Sequence, residues 1–263
     1  RSSGVGTGAG LLGAVAVALT RLWLKLPWVV LGLIPIALML DQSPAGQLVA
    51  DVVVWAVTLL ILSNAPPRLR RVMLVCVPIS LAGELLLTWG LGFYDYRRHA
   101  VPGYVPAGHA LVYGAIFVLA RQRFMRRAAP RTIAAVWMGT LLLALTRLIG
   151  WHDTVGFVLF LAWSLVLLVA PRRAFLLAMF FLTTYLEFLG TSFHCWAWAP
   201  MAGPGLSAAN PPIGAPVFYI CLDLLCDATV RMLPHYRTKV TISQYNVNAM
   251  TTHAGAPRVT MEA

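Results

Sequence analysis

Long apolar runs recur along this chain, separated by short connections, and very few charged residues interrupt them. One crossing of a bilayer's hydrocarbon takes about 20 residues at about 1.5 Å rise per residue, so this length accommodates about eight helices. A soluble domain of 263 residues needs about a quarter of them charged to cover its surface. Here 11% are charged and 59% are hydrophobic. The expected fold is therefore all-α, a polytopic integral membrane helix bundle of about eight transmembrane helices, with no room for a separate soluble domain.

Spans are expected near residues 27–40, 45–62, 72–90, 108–120, 132–150, 154–170, 174–190 and 214–230, with Pro35, Pro78 and Pro216 as tolerated kinks. The Gly-rich opening is expected to be loose. Residues 11–24 are shorter than a full span and read as an interfacial stretch, an extension of the first helix or a ninth span. The chain thus divides into an N-terminal segment 1–26, a transmembrane domain 27–237 and a mobile tail 238–263 poor in apolar periodicity.

The basic residues alternate between connections. Arg68, Arg70 and Arg71 follow the second span; Arg121, Arg123, Arg126, Arg127 and Arg131 follow the fourth; Arg172 and Arg173 follow the sixth; Arg231, Arg237 and Lys239 close the last. The intervening connections carry Asp41, then Asp95 with Arg97 and Arg98, then His152 with Asp153, then no formal charge. By the positive-inside rule the first set is cytoplasmic, which puts both termini in the cytoplasm of a cell whose inner (plasma) membrane holds the chain. Topology absorbs most of the net charge of +11, so no nucleic-acid partner is implied. Cys76, Cys195, Cys221 and Cys226 have neither disulfide-framework nor zinc spacing and read as apolar packing residues.

Two stretches resemble each other. Each opens with paired arginines, Arg70 and Arg71 or Arg172 and Arg173, and places a glutamate late in a span, Glu84 or Glu187. Each continues with two aromatics spaced by one residue, Tyr94 and Tyr96 or Trp196 and Trp198. Each ends on Pro-x-Gly-x-x-x-x-Tyr: Pro106, Gly108 and Tyr113, or Pro212, Gly214 and Tyr219. Four spans separate the copies, so they run the same way across the membrane: a parallel internal repeat with halves at about 27–120 and 132–230.

An ionisable side chain inside a span costs on the order of 2.5 to 3.5 kcal/mol on insertion scales and needs a partner, water or a task. Asp51, Glu84, Arg147, Glu187, His109 and His194 are all expected in one layer near the outer face. A buried carboxyl without a cation keeps its proton and becomes a donor near neutral pH. Glu84, Glu187 and Asp51 are thus the candidate catalytic acids and bases, with Arg147 as charge-balancing partner and His109 in second rank. Asp223, near mid-span, is the other second-rank candidate, and Asp227 is expected to pair with Arg231. No two of the histidines and carboxylates have a recognised metal-ligand spacing, so no metal is expected, and no cofactor fingerprint, nucleophile elbow or phosphate loop is present. Tyr94, Tyr96, Trp196, Trp198, Tyr113 and Tyr219 are candidate substrate-binding rings, able to stabilise a cation by about 1 to 2 kcal/mol each when desolvated.

Glu84, Thr88, Gly92, Phe93, Tyr94, Asp95 and Tyr96 together resemble the signature of bacterial membrane carotenoid biosynthesis proteins of the carotenoid hydratase type. The second copy, Glu187, Gly190, Thr191, Trp196 and Trp198, keeps the glutamate and replaces the tyrosines by tryptophans. The resemblance implies a carboxylic acid that protonates a terminal isoprenoid double bond, a tertiary carbocation among aromatic rings, and water added under a second carboxylate, or cyclisation where water is excluded. Three functions compete at this stage. They are an enzyme acting on a long apolar isoprenoid, a proton-coupled transporter with a continuous polar path, and a non-catalytic membrane subunit or assembly factor. The partners implied are an isoprenoid or other lipid substrate and the membrane lipids, with a homo-oligomer or a membrane partner subunit also compatible.

Overall fold

The computed structural model describes residues 22–170, 172–202 and 205–233. The loose opening, most of the 11–24 stretch and the tail from 238 lie outside the described residues. Eight α-helices run through the described chain: α1 Leu26–Leu40, α2 Pro44–Asn64, α3 Pro67–Leu85, α4 Val105–Leu119, α5 Arg123–Trp151, α6 Thr154–Val169, α7 Arg173–Ser192 and α8 Pro216–Met232. Strands β1 Tyr94–Tyr96 and β2 Trp196–Trp198 follow α3 and α7. A 3-10 turn, Leu22–Lys25, leads into α1, and a π-helical turn, Leu86–Gly90, extends α3. Five of these segments are long and apolar enough to cross a membrane: Leu22–Leu40, Pro44–Asn64, Pro67–Gly90, Arg123–Trp151 and Arg173–Ser192.

Helix starts follow local chemistry. The Ser43 hydroxyl accepts the Gly46 amide at 3.0 Å and opens α2, with Pro44 in the first turn where no amide partner is needed. Asp153 opens α6 the same way, accepting from Gly156 at 2.9 Å, after His152 has taken the left-handed conformation that stops α5. Two expectations need correction. The arginines at 68, 70, 71, 123, 126, 127 and 131 lie within the first three turns of α3 and α5, not in loops. Arginine is a good helix former whose long stem lets the charge leave the apolar layer, so nothing stops these helices at the hydrocarbon edge. Pro216 sits in the first turn of α8, whereas Pro35, Pro78 and Pro130 are interior.

α4 is buried on nearly every face, and α7 on most, so these two form the centre of the bundle. Gly114 lets α4 approach its neighbours: a Cβ there would meet Leu26 of α1 at 2.8 Å and Met73 of α3 at 3.1 Å. α5 and α6 lie outside and expose Leu142, Ile149, Trp151, Leu168 and Val169, as a surface against lipid tails does. All arginine-bearing helix ends gather at one end of the bundle. At the other, the buried Asp41 binds Arg98 at 2.9 Å, fastening the α1–α2 turn to the segment after β1.

Candidate functional site

Both glutamates sit near the C-terminal ends of their helices and are nearly buried, 7% exposed for Glu84 and 6% for Glu187. The threonine four residues on, Thr88 or Thr191, turns its hydroxyl back onto the glutamate's own carbonyl, at 2.6 and 2.8 Å. Each chain then reverses into a three-residue strand. The strands pair antiparallel, with Tyr94 opposite Trp198 and Tyr96 opposite Trp196. Residues two apart on a strand point the same way, so the two aromatics of each strand turn inward together while Asp95 and Ala197 face out.

The four aromatics cap the two carboxyl groups. Tyr94 and Tyr96 donate to Glu84 Oε2 at 2.6 and 2.7 Å. Trp196 and Trp198 donate to Glu187 Oε2, both at 3.1 Å. The following helix completes each set. His109 Nε2 of α4 lies 3.3 Å from Glu84 Oε1, and the Tyr219 hydroxyl of α8 donates to Glu187 Oε1 at 2.9 Å. His109 and Tyr219 stack face to face, 5.5 Å between centroids and 13° between planes. Gly190 makes room for this arrangement, since a Cβ there would collide with the Trp196 ring.

The donors differ in what they allow. His109 Nδ1 lies 3.0 Å from the Val105 carbonyl, which can only accept, so Nδ1 carries a hydrogen. Nε2 facing Glu84 Oε1 is then favourable only with a proton between them, held by the carboxyl or by the imidazole. The Glu84–His109 pair is thus a close contact between two groups that can each carry a proton. Around Glu187 the indole N–H groups can donate but not accept, so they hold Oε2 as an acceptor.

Both carboxyl groups border an open cleft of about 680 Å³ between α1, α4 and α7. Its remaining wall is largely aliphatic, with Val30, Leu33, Ile34 and Leu38 of α1 facing Leu111 and Val112 of α4. A second cavity of about 350 Å³, between α3 and α8, reaches the same Glu84, His109, Tyr94 and Tyr219 from the opposite side. The constellation can thus be approached from two directions.

Not every candidate is drawn in. Asp51 faces the 103–104 turn: its carboxylate abuts Gly103, its Oδ1 is buried without a hydrogen-bond partner, and it does not border the cleft. Among the described residues Arg147 pairs with no carboxylate; it donates to the Pro211 carbonyl at 2.7 Å, because the loop before α8 crosses the end of α5. Tyr113, expected to match Tyr219, instead binds Asp223 toward the arginine end, where Arg172 lies 3.6 Å from Asp223 and 2.7 Å from Asp227. Asp227 also pairs with Arg231, as the four-residue spacing predicts. His194 turns Nδ1 to the Ser192 carbonyl on the exposed rim. Among the described residues no three His, Cys, Asp or Glu side chains are grouped to hold a metal ion.

His109 is the residue whose weight the sequence understated. The Pro-x-Gly-x-x-x-x-Tyr match sets Tyr113 against Tyr219, but counting three residues on from the first-turn proline of each helix, Pro106 or Pro216, sets His109 against Tyr219. That second register is the one in which the two side chains stack on each other. The chain matches no family model, and no curated protein or solved structure shows significant similarity to it.

Proposed function

We propose that this chain is an integral membrane enzyme that protonates a double bond of a long apolar isoprenoid, of the carotenoid type, and adds water to the resulting cation. The observation that carries the reading is the close approach of Glu84 and His109, a carboxyl and an imidazole, on the wall of an otherwise aliphatic cleft. A hydrocarbon offers such a site no group to bind except its π bonds and its surface. The apolar wall removes that surface from water at about 25 cal/mol per Å², and a carboxylic acid is what the double bond requires.

In this mechanism the Glu84–His109 pair gives its proton to one alkene carbon, leaving a tertiary cation on the other. The rings of Tyr94, Tyr96, Trp196 and Trp198 and the carboxyl oxygens of Glu187, held by its three neutral donors, stabilise that cation. Water adds to the cation and returns a proton to the Glu84–His109 pair, so the protein is unchanged and the product gains one water. If the cleft excludes water, a neighbouring double bond attacks the cation, and the cyclic cation so formed loses a proton back to the Glu84–His109 pair, giving a cyclic isomer of equal mass.

The two glutamate units are read as copies of one ancestral unit, related by an axis along the membrane normal. The matched back-bonded threonines, the pairing of β1 with β2 and the third donor from the following helix support that reading. All eight helices are taken as spans of a bacterial inner membrane. The arginine end lies in the cytoplasm with both termini, and the glutamates lie toward the outer face. The enzyme is favoured over a carrier because Asp223 is engaged by Tyr113 and Arg172, away from the glutamates, with buried apolar residues of α4 between.

The test is mass spectrometry of lipid extracts from carotenoid-producing cells expressing the chain, beside Glu84→Ala and Glu187→Ala variants shown to reach the membrane folded. A product heavier by one water, absent with the Glu84 variant, is expected. An isomer of unchanged mass and shifted retention assigns cyclisation instead. An unchanged pigment profile with folded wild-type protein overturns the reading.

A further inference from the structure

At the arginine end lies a feature for which the proposed reaction has no use. An open cavity of about 1190 Å³ is bordered by Arg68, Arg121, Arg126, Arg172 and Arg173, with Asp227 as its one bordering carboxylate. These arginines come from three separate parts of the chain: the start of α3, the junction of α4 with α5, and the segment that opens α7. Topology alone requires arginines at this end of the helices. It does not require them to converge on one hollow.

The charges there are poorly balanced. Asp227 is already shared between Arg172 and Arg231. Among the described residues Arg68, Arg121, Arg126 and Arg173 have no carboxylate within 4.0 Å. Arg121 is held in position: it donates to the Phe117 carbonyl at 2.8 Å, and its guanidinium lies 3.3 Å over the Phe117 ring. Burial first, then the like charges of Arg68 and Arg172, pull Arg121 below its ordinary value. Crowded guanidinium groups of this kind are costly alone and favourable around a multivalent anion.

The floor of the hollow is apolar. Val72, Phe117, Ala129 and Phe175 line it beneath the guanidinium rim. We propose that this cavity binds a phosphoryl group carried on an apolar chain, with the arginines around Arg121 holding the phosphate oxygens and the floor taking the first carbons. Planar, fixed guanidinium donors match phosphate oxygens two at a time, which a hydrated point charge does not. Two sources can supply this chemistry at a membrane surface: the headgroup of an anionic phospholipid, or a soluble phosphate or diphosphate for which the floor is incidental.

The experiment is equilibrium binding and thermal unfolding of the purified full chain in a neutral detergent. It is titrated separately with phosphatidylglycerol, phosphatidylcholine and inorganic pyrophosphate. The variants are Arg121→Gln, Arg68→Gln and the charge-keeping Arg121→Lys. Arg131→Gln serves as control, an exposed arginine at the same end that does not border the cavity. Wild type is expected to bind phosphatidylglycerol over phosphatidylcholine and to unfold at a higher temperature with it. Affinity should fall about tenfold in Arg121→Gln, the loss of one charge-assisted contact, less in Arg121→Lys, and not in Arg131→Gln.

Binding of pyrophosphate with the same variant pattern, and without a preference for phosphatidylglycerol, keeps the site and assigns the soluble source. Equal losses in Arg131→Gln and Arg121→Gln, or no binding of either anionic probe by folded wild type, overturn the proposal. None of these readouts depends on the isoprenoid reaction, so the two proposals can fail separately.

Discussion

The unit around Glu84 and the unit around Glu187 share a plan and differ in their donors. In each, a glutamate late in a helix meets two aromatics from a three-residue strand and a third donor from the next helix. Around Glu84 these are two phenols, whose oxygens can donate and accept, and an imidazole, which can carry a proton. Around Glu187 two are indoles, which can only donate. The same backbone geometry thus places one carboxyl group beside an imidazole and holds the other among donors that cannot accept. A pair of titratable groups separated by environment is the arrangement from which acid and stabiliser roles can be assigned.

The sharpest way to break this comparison is to remove the mobile proton. Glu84→Gln is expected to lower product formation on the order of 10³-fold, read as product per membrane-inserted protein in lipid extracts, because the amide cannot protonate an alkene. His109→Phe, which keeps a ring against Tyr219, should cost about 10²-fold by leaving Glu84 without the partner that shares its proton. A His109→Phe protein as active as wild type would show that Glu84 needs no such partner.

Glu187→Gln should also lower turnover, by about 10²-fold, because the amide N–H group would face a donor where a carboxyl oxygen now accepts. If it instead equals Glu84→Gln, both carboxyl groups transfer protons and the division of roles fails. Tyr94→Phe removes one phenol from Glu84 and should cost about tenfold in product, the loss of one hydrogen bond to a charged acceptor. The smallest effect belongs to the far end of α4. Tyr113→Phe should leave product yield within about twofold while lowering stability by about 1 kcal/mol in a thermal-unfolding comparison, since Tyr113 contacts Asp223 rather than either glutamate.

Packing offers one further check. Gly190→Ala places a methyl where the Trp196 ring lies, and overpacking of this kind costs about 1 to 3 kcal/mol. The variant should unfold at lower temperature and lose activity together, whereas Gly139→Ala, where a Cβ meets nothing within 4 Å, should do neither.

Much of this plan is legible in one dimension. Apolar runs locate the eight helices, five of them in segments long and apolar enough to cross a membrane, because a helix satisfies its own backbone groups wherever water is excluded. Glu84 and Glu187 stand out because a carboxyl group in an apolar run is rare and costly. Tyr94 with Tyr96, and Trp196 with Trp198, announce a shared face through their spacing alone. The approach of the strands that carry them is long-range, Tyr94 lying opposite Trp198, and nothing local specifies it.

Asp51, Arg147 and Tyr113 mark where linear reading ends. Asp51 and Arg147 are expected at the depth of the site, but depth is one coordinate and rotation about the helix axis is another; Tyr113 lies deeper, toward the arginine end. Asp51 turns to the 103–104 segment, Arg147 to a loop carbonyl and Tyr113 to Asp223. His109 shows the converse, an ordinary residue at a helix start made important by what faces it across the bundle. Composition and spacing determined a bundle of apolar helices, several of them able to cross a membrane, with two buried glutamates late in their helices, because transfer energies depend on residue type and order along the chain. Which groups face each glutamate, and which arginines surround one cavity, was decided by tertiary packing alone, because hydrogen bonds and ion pairs depend on ångström distances between helices far apart in sequence.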